Sequence, residues 1–173
     1  MVDVVGGILV RKGRILLVQR LPDKDYPLMW ECPGGKVEPE ETHEQALKRE
    51  LREEVGIEVE LASNVGRAWW KGEFKNEVSR PDRTHMLPQG AGRAPASASE
   101  QGVMLTLYRV RLVSGVPRLM SSEVQGFGYF SPDEMLKLSA APGLETVRAR
   151  LAQAMNLGVF EPDGSGHVAM GGT

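Results

Sequence analysis

Hydrophobic and polar positions follow two rhythms along this chain, one suited to strands and one to helices. Residues 3–10 and Arg14–Arg20 are runs rich in β-branched residues and leucine, separated by Lys12-Gly13, and they predict a hairpin. From residue 42 the period changes. Leu47, Leu51 and Val55 recur every fourth residue and give a helix one apolar stripe. Thr42 with Gln45 three residues on is a capping-box signature that starts this helix. Gly56 suits the left-handed position that ends it, and Ile57 packs back on the last turn. Short strands follow at residues 58–61 and 67–71, then a stronger one at 103–113 (VMLTLYRVRLV) and another at 128–130. Ser131 caps a short helix with Pro132 in its first turn. Leu144, Val147, Leu151 and Met155 stand at helical spacing and predict a core-packing helix over 144–155. The order of strands, helix, strands and helix is compatible with an α/β domain of layered elements.

Two segments lack either rhythm. Residues 88–101 read PQGAGRAPASASEQ, with too few apolar groups to offset the entropy of ordering them. A disordered insert spanning about residues 80–102 is therefore expected, with a lid over a site as the alternative. Residues 156–173 are Gly-rich and weakly patterned and read as a loose C-terminal tail, leaving one domain over residues 1–155.

The polar face of the first long helix changes the picture from architecture to chemistry. Glu50, Glu53 and Glu54 fall at i, i+3 and i+4, so all three carboxylates project from one face. Such faces are most often merely solvated. Three like charges drawn together would raise one another's pKa. A hard dication such as Mg²⁺ would supply the missing positive charge while keeping water and a substrate phosphate in its shell. Arg49, four residues before Glu53, is placed to brace that carboxylate.

Composition adds exclusions. With 173 residues, the chain is long enough for one domain with a real core. A net charge of −2 gives no electrostatic footprint for duplex nucleic acid. The single cysteine, Cys32, excludes an internal disulfide and fits a reducing cytoplasm. No apolar stretch approaches the length of a membrane span, and the N-terminus lacks the basic segment of a secretion signal, so a cytoplasmic protein is expected.

The segment GKVEPEETHEQALKRELREEVGI, from Gly35 to Ile57, carries more than a helix. Gly35, five residues, Glu41, seven residues, then Arg49-Glu50-Leu51-Arg52-Glu53-Glu54-Val55-Gly56-Ile57 matches the Nudix box at every fixed position. With WECPGGKVEPEE before it, the chain resembles the Nudix hydrolase family, and within it the MutT-type nucleoside triphosphate pyrophosphohydrolases. The resemblance implies an α/β/α sandwich around a mixed sheet. It also implies a Mg²⁺-dependent hydrolase, with Mn²⁺ as a substitute, whose substrate is a nucleotide. By resemblance, Glu50, Glu53, Glu54 and the backbone carbonyl of Gly34 bind metal, and Gly35 belongs to the substrate-binding loop. Arg49 and Glu123 join Glu50 and Glu53 in the catalytic set, and Arg20 matches a position that reaches substrate phosphate. Glu53, Glu50 and Glu123 all stay open as the general base. The implied reaction splits a nucleoside triphosphate into a monophosphate and pyrophosphate. A nucleoside diphosphate sugar of the ADP-ribose type is the alternative substrate, and a non-catalytic nucleotide-binding regulator is the alternative class. Either a monomer or a homodimer suits the sequence. Cys32 stands where MutT-like chains carry phenylalanine, and Ala141-Pro142-Gly143-Leu144 lacks the asparagine that reads an oxidised guanine in MutT itself. A buried thiol, rather than a nucleophile, is expected of Cys32. Trp69 and Trp70, adjacent on a strand, face opposite ways, so at most one can line a pocket.

Overall fold

The helix that bears the carboxylates begins where the sequence places it. In this computed structural model, which describes residues 1–73, 100–120 and 122–160, α1 runs His43–Val55 with Thr42 as its cap. Gln45 N–H donates to Thr42 Oγ1 at 3.2 Å, and Thr42 N–H donates to Gln45 Oε1 at 2.8 Å. Gly56, at φ 68°, ends the helix, and its N–H reaches the carbonyls of Arg52 and Leu51. Leu47, Leu51 and Val55 are fully buried, so the four-residue rhythm was the core face.

Among the described residues, eight strands form two sheets. β1 (Val2–Ile8), β5 (Gly34–Lys36), β6 (Glu58–Glu73) and β7 (Glu100–Ser114) make one, in the order β5-β1-β7-β6. β1 runs parallel to β7 while its pairing with β5 is antiparallel, so this sheet is mixed. The other holds β2 (Val10–Arg11), β3 (Arg14–Arg20) and β4 (Trp30–Glu31), with β8 (Val124–Phe130) paired to β3. β3 explains the layering. Leu16 and Val18 pack with α1, whereas Ile15 and Leu17 pack with α2 (Pro132–Lys137) and α3 (Pro142–Asn156). A strand covered on both faces needs consecutive apolar residues, which Ile15, Leu16, Leu17 and Val18 supply in the buried middle of β3. The result is the α/β/α arrangement expected.

Residues 58–61 and 67–71 belong to one strand rather than two. Register shifts after Glu58, Leu61 and Asn64 mark bulges, and antiparallel pairing to β7 continues through them. The intervening Ala62-Ser63-Asn64-Val65-Gly66 has turn-like composition, but its long partner strand overrides local preference. β7 begins at Glu100, inside the span read as an insert, and the remainder of that span up to residue 99 lies outside the described residues. α3 ends at Asn156, Phe160 beyond it is buried, and residues 161–173 are likewise outside. No helix among the described residues is long and apolar enough to cross a membrane. Trp69 is 52% exposed, while Trp70 packs on the α3 side of the core, as opposite faces require.

Candidate active site

α1 presents its three carboxylates unequally. Glu50 and Glu54 are buried, at 9% and 5% exposure, whereas the Glu53 side chain is 57% exposed. The difference follows from β5, which runs across the same face. Gly34 N–H donates to Glu54 Oε2 at 3.0 Å. A Cβ on Gly35 would lie 2.4 Å from the carboxyl carbon of Glu50, so the Glu50 carboxylate occupies the space that a side chain at residue 35 would need. Gly34 has φ +151°, and a Cβ there would sit 2.0 Å from the carbonyl oxygen of Val5. Both glycines are therefore required by close approach, one to backbone and one to a carboxylate.

Arg49 ties the loop to the helix. Its Nε and Nη2 donate to Glu41 Oε1 and Oε2 at 2.9 and 2.8 Å, its Nη1 donates to Glu50 Oε1 at 2.8 Å, and Nη2 also reaches the Lys36 carbonyl at 3.1 Å. Glu53 Oε2 is farther, at 3.5 Å from Nη1. The brace expected between Arg49 and Glu53 is thus the weaker contact, because the bidentate Glu41 pair fixes the plane of the guanidinium. Those Arg49 bonds hold the Glu41 carboxyl down at about 2.

The opposite wall comes from the connection between β7 and β8. Arg118 N–H donates to the Val55 carbonyl at 3.0 Å and Met120 N–H to the Glu54 carbonyl at 3.1 Å, satisfying groups that a helix C-terminus leaves open. This anchorage carries Glu123 to the carboxylates. Glu50, Glu53, Glu54 and Glu123 line one cleft of ≈ 530 Å³ together with Arg52, Met120 and Ser122. Arg20 stands beside the cleft, since β3 pairs it with Val124. Its guanidinium is turned elsewhere: Nη1 donates to Glu31 Oε1 at 2.8 Å and Nε to the Asp25 carbonyl at 2.6 Å. Arg20 is not among the residues that line the cleft.

The electrostatics favour added positive charge. Burial pushes the Glu54 carboxyl well up, the charges of Glu31, Glu50 and Glu123 push it further, and only the Gly34 N–H opposes them. Burial also raises Glu50, against the pull of Arg49. Glu31 is raised by burial despite its Arg20 partner. Among the described residues no three His, Cys, Asp or Glu side chains converge on one preformed metal position; Glu50 is turned to Arg49 and Glu54 to Gly34. The donor set nevertheless fits a hard dication, being all oxygen, anionic and short of countercharge. Cys32 is buried and free, and burial with the Glu31 charge lifts its thiol to about 12, which removes it as a nucleophile.

The sign of these shifts gives a stability prediction. A carboxyl whose folded pKa is raised stabilises the native state below its ordinary value of 4.5 and loses that contribution as pH climbs through the raised value. Metal-free protein is expected to lose stability as pH rises above about 5, and Glu54→Gln, which keeps an acceptor for Gly34, to flatten that loss. Thermal melts of both proteins with EDTA across this range check it. Parallel pH curves would show that Glu54 is charged at no cost.

Two side chains in this arrangement escaped the sequence reading. Glu41 is a fixed position of the box, but its role as the anchor of Arg49 is tertiary. Glu31 sits in WECPGG without a helix or a repeat to flag it, and only the β3–β4 pairing brings it to Arg20.

Solved structures share this fold. The solution structure of the E. coli ORF135 protein superposes with a TM-score of 0.60 at 32% identity, covering 88% of this chain and 92% of that one. A CTP pyrophosphohydrolase of Escherichia coli (strain K12) is 52% identical over 65 residues, 38% of this chain and 48% of that protein. An 8-oxo-dGTP diphosphatase of Haemophilus influenzae is 53% identical over 57 residues, 32% of this chain and 42% of that protein. The chain thus spans less than half the length of these two curated relatives. The family model of the NUDIX domain matches residues 2–151, which takes in the capped helix, both glycines of β5 and Glu123. On that match, the chain belongs to the NUDIX domain family.

Proposed function

We propose that this protein is a Mg²⁺-dependent pyrophosphohydrolase that cleaves a nucleoside triphosphate to a nucleoside monophosphate and pyrophosphate, with Mn²⁺ able to replace Mg²⁺. The observation that carries the reading is the cleft in which Glu50, Glu53 and Glu54 face Glu123, with two of the helix carboxylates buried and raised in pKa. Glu50, Glu53, Glu54 and the Gly34 carbonyl would hold the metal. A bound dication neutralises charge on the phosphate oxygens and lowers the pKa of the attacking water. Arg49 keeps Glu50 oriented and Glu41 keeps Arg49 in place. Glu53 is exposed to the cleft and only loosely paired, so it is the carboxylate free to accept the water's proton. Arg20, at the cleft edge, reaches the phosphate on exchanging Glu31 for a substrate oxygen.

The relatives' names favour a triphosphate over a nucleotide sugar, since those proteins are called a CTP pyrophosphohydrolase and an 8-oxo-dGTP diphosphatase. A screen with Mg²⁺ against nucleoside triphosphates, their oxidised and methylated analogues and nucleotide sugars, with products identified by mass, tests the proposal. Monophosphate plus pyrophosphate is expected. Turnover confined to nucleotide sugars would replace the substrate class, and binding without turnover would make the protein a regulator.

Strong preference for 8-oxo-dGTP over dGTP is not expected. Discrimination by one hydrogen-bonding group needs a buried polar partner that the wrong base leaves unpaired. Cys32 is a buried core residue, Pro142 and Gly143 offer no side-chain donor, and the Ala141 N–H is committed to the Trp30 carbonyl at 2.9 Å. The ratio of kcat/KM for the two nucleotides should stay below roughly 10³, and a larger ratio would require another residue to read the oxidised base.

A further inference from the structure

A second cavity among the described residues lies away from the carboxylate cleft. It has a volume of ≈ 430 Å³, lies on the α3 side of the mixed sheet and shares no lining residue with that cleft. Its floor is the edge of the core, with Leu107, Val147, Leu151 and Phe160 all buried. Arg109 and Arg150 line its polar side, Arg67 contributes at the β6 rim with its side chain on the Thr106 face, and none of the described residues that line the cavity is acidic. The placement follows from local geometry. Leu107 and Arg109 are two apart on β7 and share a face, so the apolar floor passes directly into a guanidinium. Arg150 lies three residues after Val147 on α3, which puts it at the border of that helix's buried stripe. Two bulges in β6, after Leu61 and after Asn64, fall at the rim, where such irregularities re-aim side chains.

We propose that this cavity binds a small organic anion with an apolar body, such as a carboxylate or phosphate ester carrying a hydrocarbon or ring portion. Its volume falls within the range of about 300–1,000 Å³ typical of small-molecule sites. The guanidinium fork matches a carboxylate or phosphate head, and the buried floor takes the carbon skeleton. The cavity's lining includes none of the carboxylates of the hydrolytic cleft and none of Cys32, Ala141, Pro142 and Gly143, the positions weighed for reading a base.

Decanoate, kept below its aggregation concentration, is a suitable probe, with decanol as its uncharged counterpart. Titrating full-length ¹⁵N-labelled protein should give saturable backbone shifts at residues 63–67 and 147–154, with none at 50–54. Arg150→Glu should weaken decanoate binding about tenfold or more, the scale of one charge-assisted contact. Arg150→Ala should weaken it in the same direction, and decanol should bind more weakly than decanoate. Glu53→Gln should leave the binding unchanged, which separates this site from the hydrolytic one. Equal binding of decanol, indifference to both Arg150 variants, non-saturable shifts or shifts centred on residues 50–54 would each overturn the proposal. So would binding that appears only in a chain cut after Phe160, which would give the cavity to residues 161–173 instead.

Discussion

Changing Glu53 to Gln is expected to lower kcat by about 10²-fold or more while leaving the melting temperature nearly unchanged, the scale seen when one electrostatic contact in a transition state is removed. The two halves of that expectation have separate causes. Stability should hold because the Glu53 side chain is 57% exposed and its ion pair to Arg49, at 3.5 Å, is long and solvated. Activity should fall because the same exposure faces the cleft shared with Glu50, Glu54 and Glu123. On the proposed reading, an amide there would remove a negative metal ligand and a proton acceptor at once. Steady-state rates at saturating Mg²⁺, beside a melt of the same preparation, decide it. A folded Glu53→Gln protein with near-normal turnover would remove Glu53 from the site.

Adjacent glycines are expected to fail in different ways when given a methyl group. At Gly34 the added Cβ meets the Val5 carbonyl oxygen at 2.0 Å, and φ +151° suits only glycine. Relief requires β1 and β5 to separate, so Gly34→Ala should lose about 3 kcal/mol or more of stability through strained backbone and disrupted pairing. At Gly35 the Cβ meets the far end of a side chain, the Glu50 carboxylate, at 2.4 Å. That group can swing away, so Gly35→Ala should keep most of its stability and lose activity, because Glu50 leaves Arg49 and the cleft. Chemical denaturation and rates on both variants give the comparison. Similar losses of stability at the two positions would mean that Glu50 is not the movable partner.

The same two residues show how far the sequence reaches. By resemblance the sequence places Gly34 and Gly35 in a metal- and substrate-binding loop, but whether each glycine meets backbone or carboxylate depends on what β1 and α1 place opposite. The capping pair, the apolar stripe and the left-handed Gly56 were legible because they involve neighbours within five residues, where helical geometry alone fixes the contacts. The long β6 was not, since residues 62–66 look like a turn and only pairing with β7 makes them strand.

For this protein the sequence by itself determined the α/β class, the helix and the shared face of Glu50, Glu53 and Glu54, because periodicity and caps are local properties. Tertiary structure alone decided which of those carboxylates are buried. It also turned Arg49 to Glu41 and Glu50 and closed Arg20 onto Glu31. Burial and ion pairing depend on which distant segments are packed alongside, and desolvation, the largest influence on Glu50 and Glu54, exists only once β5 has covered them.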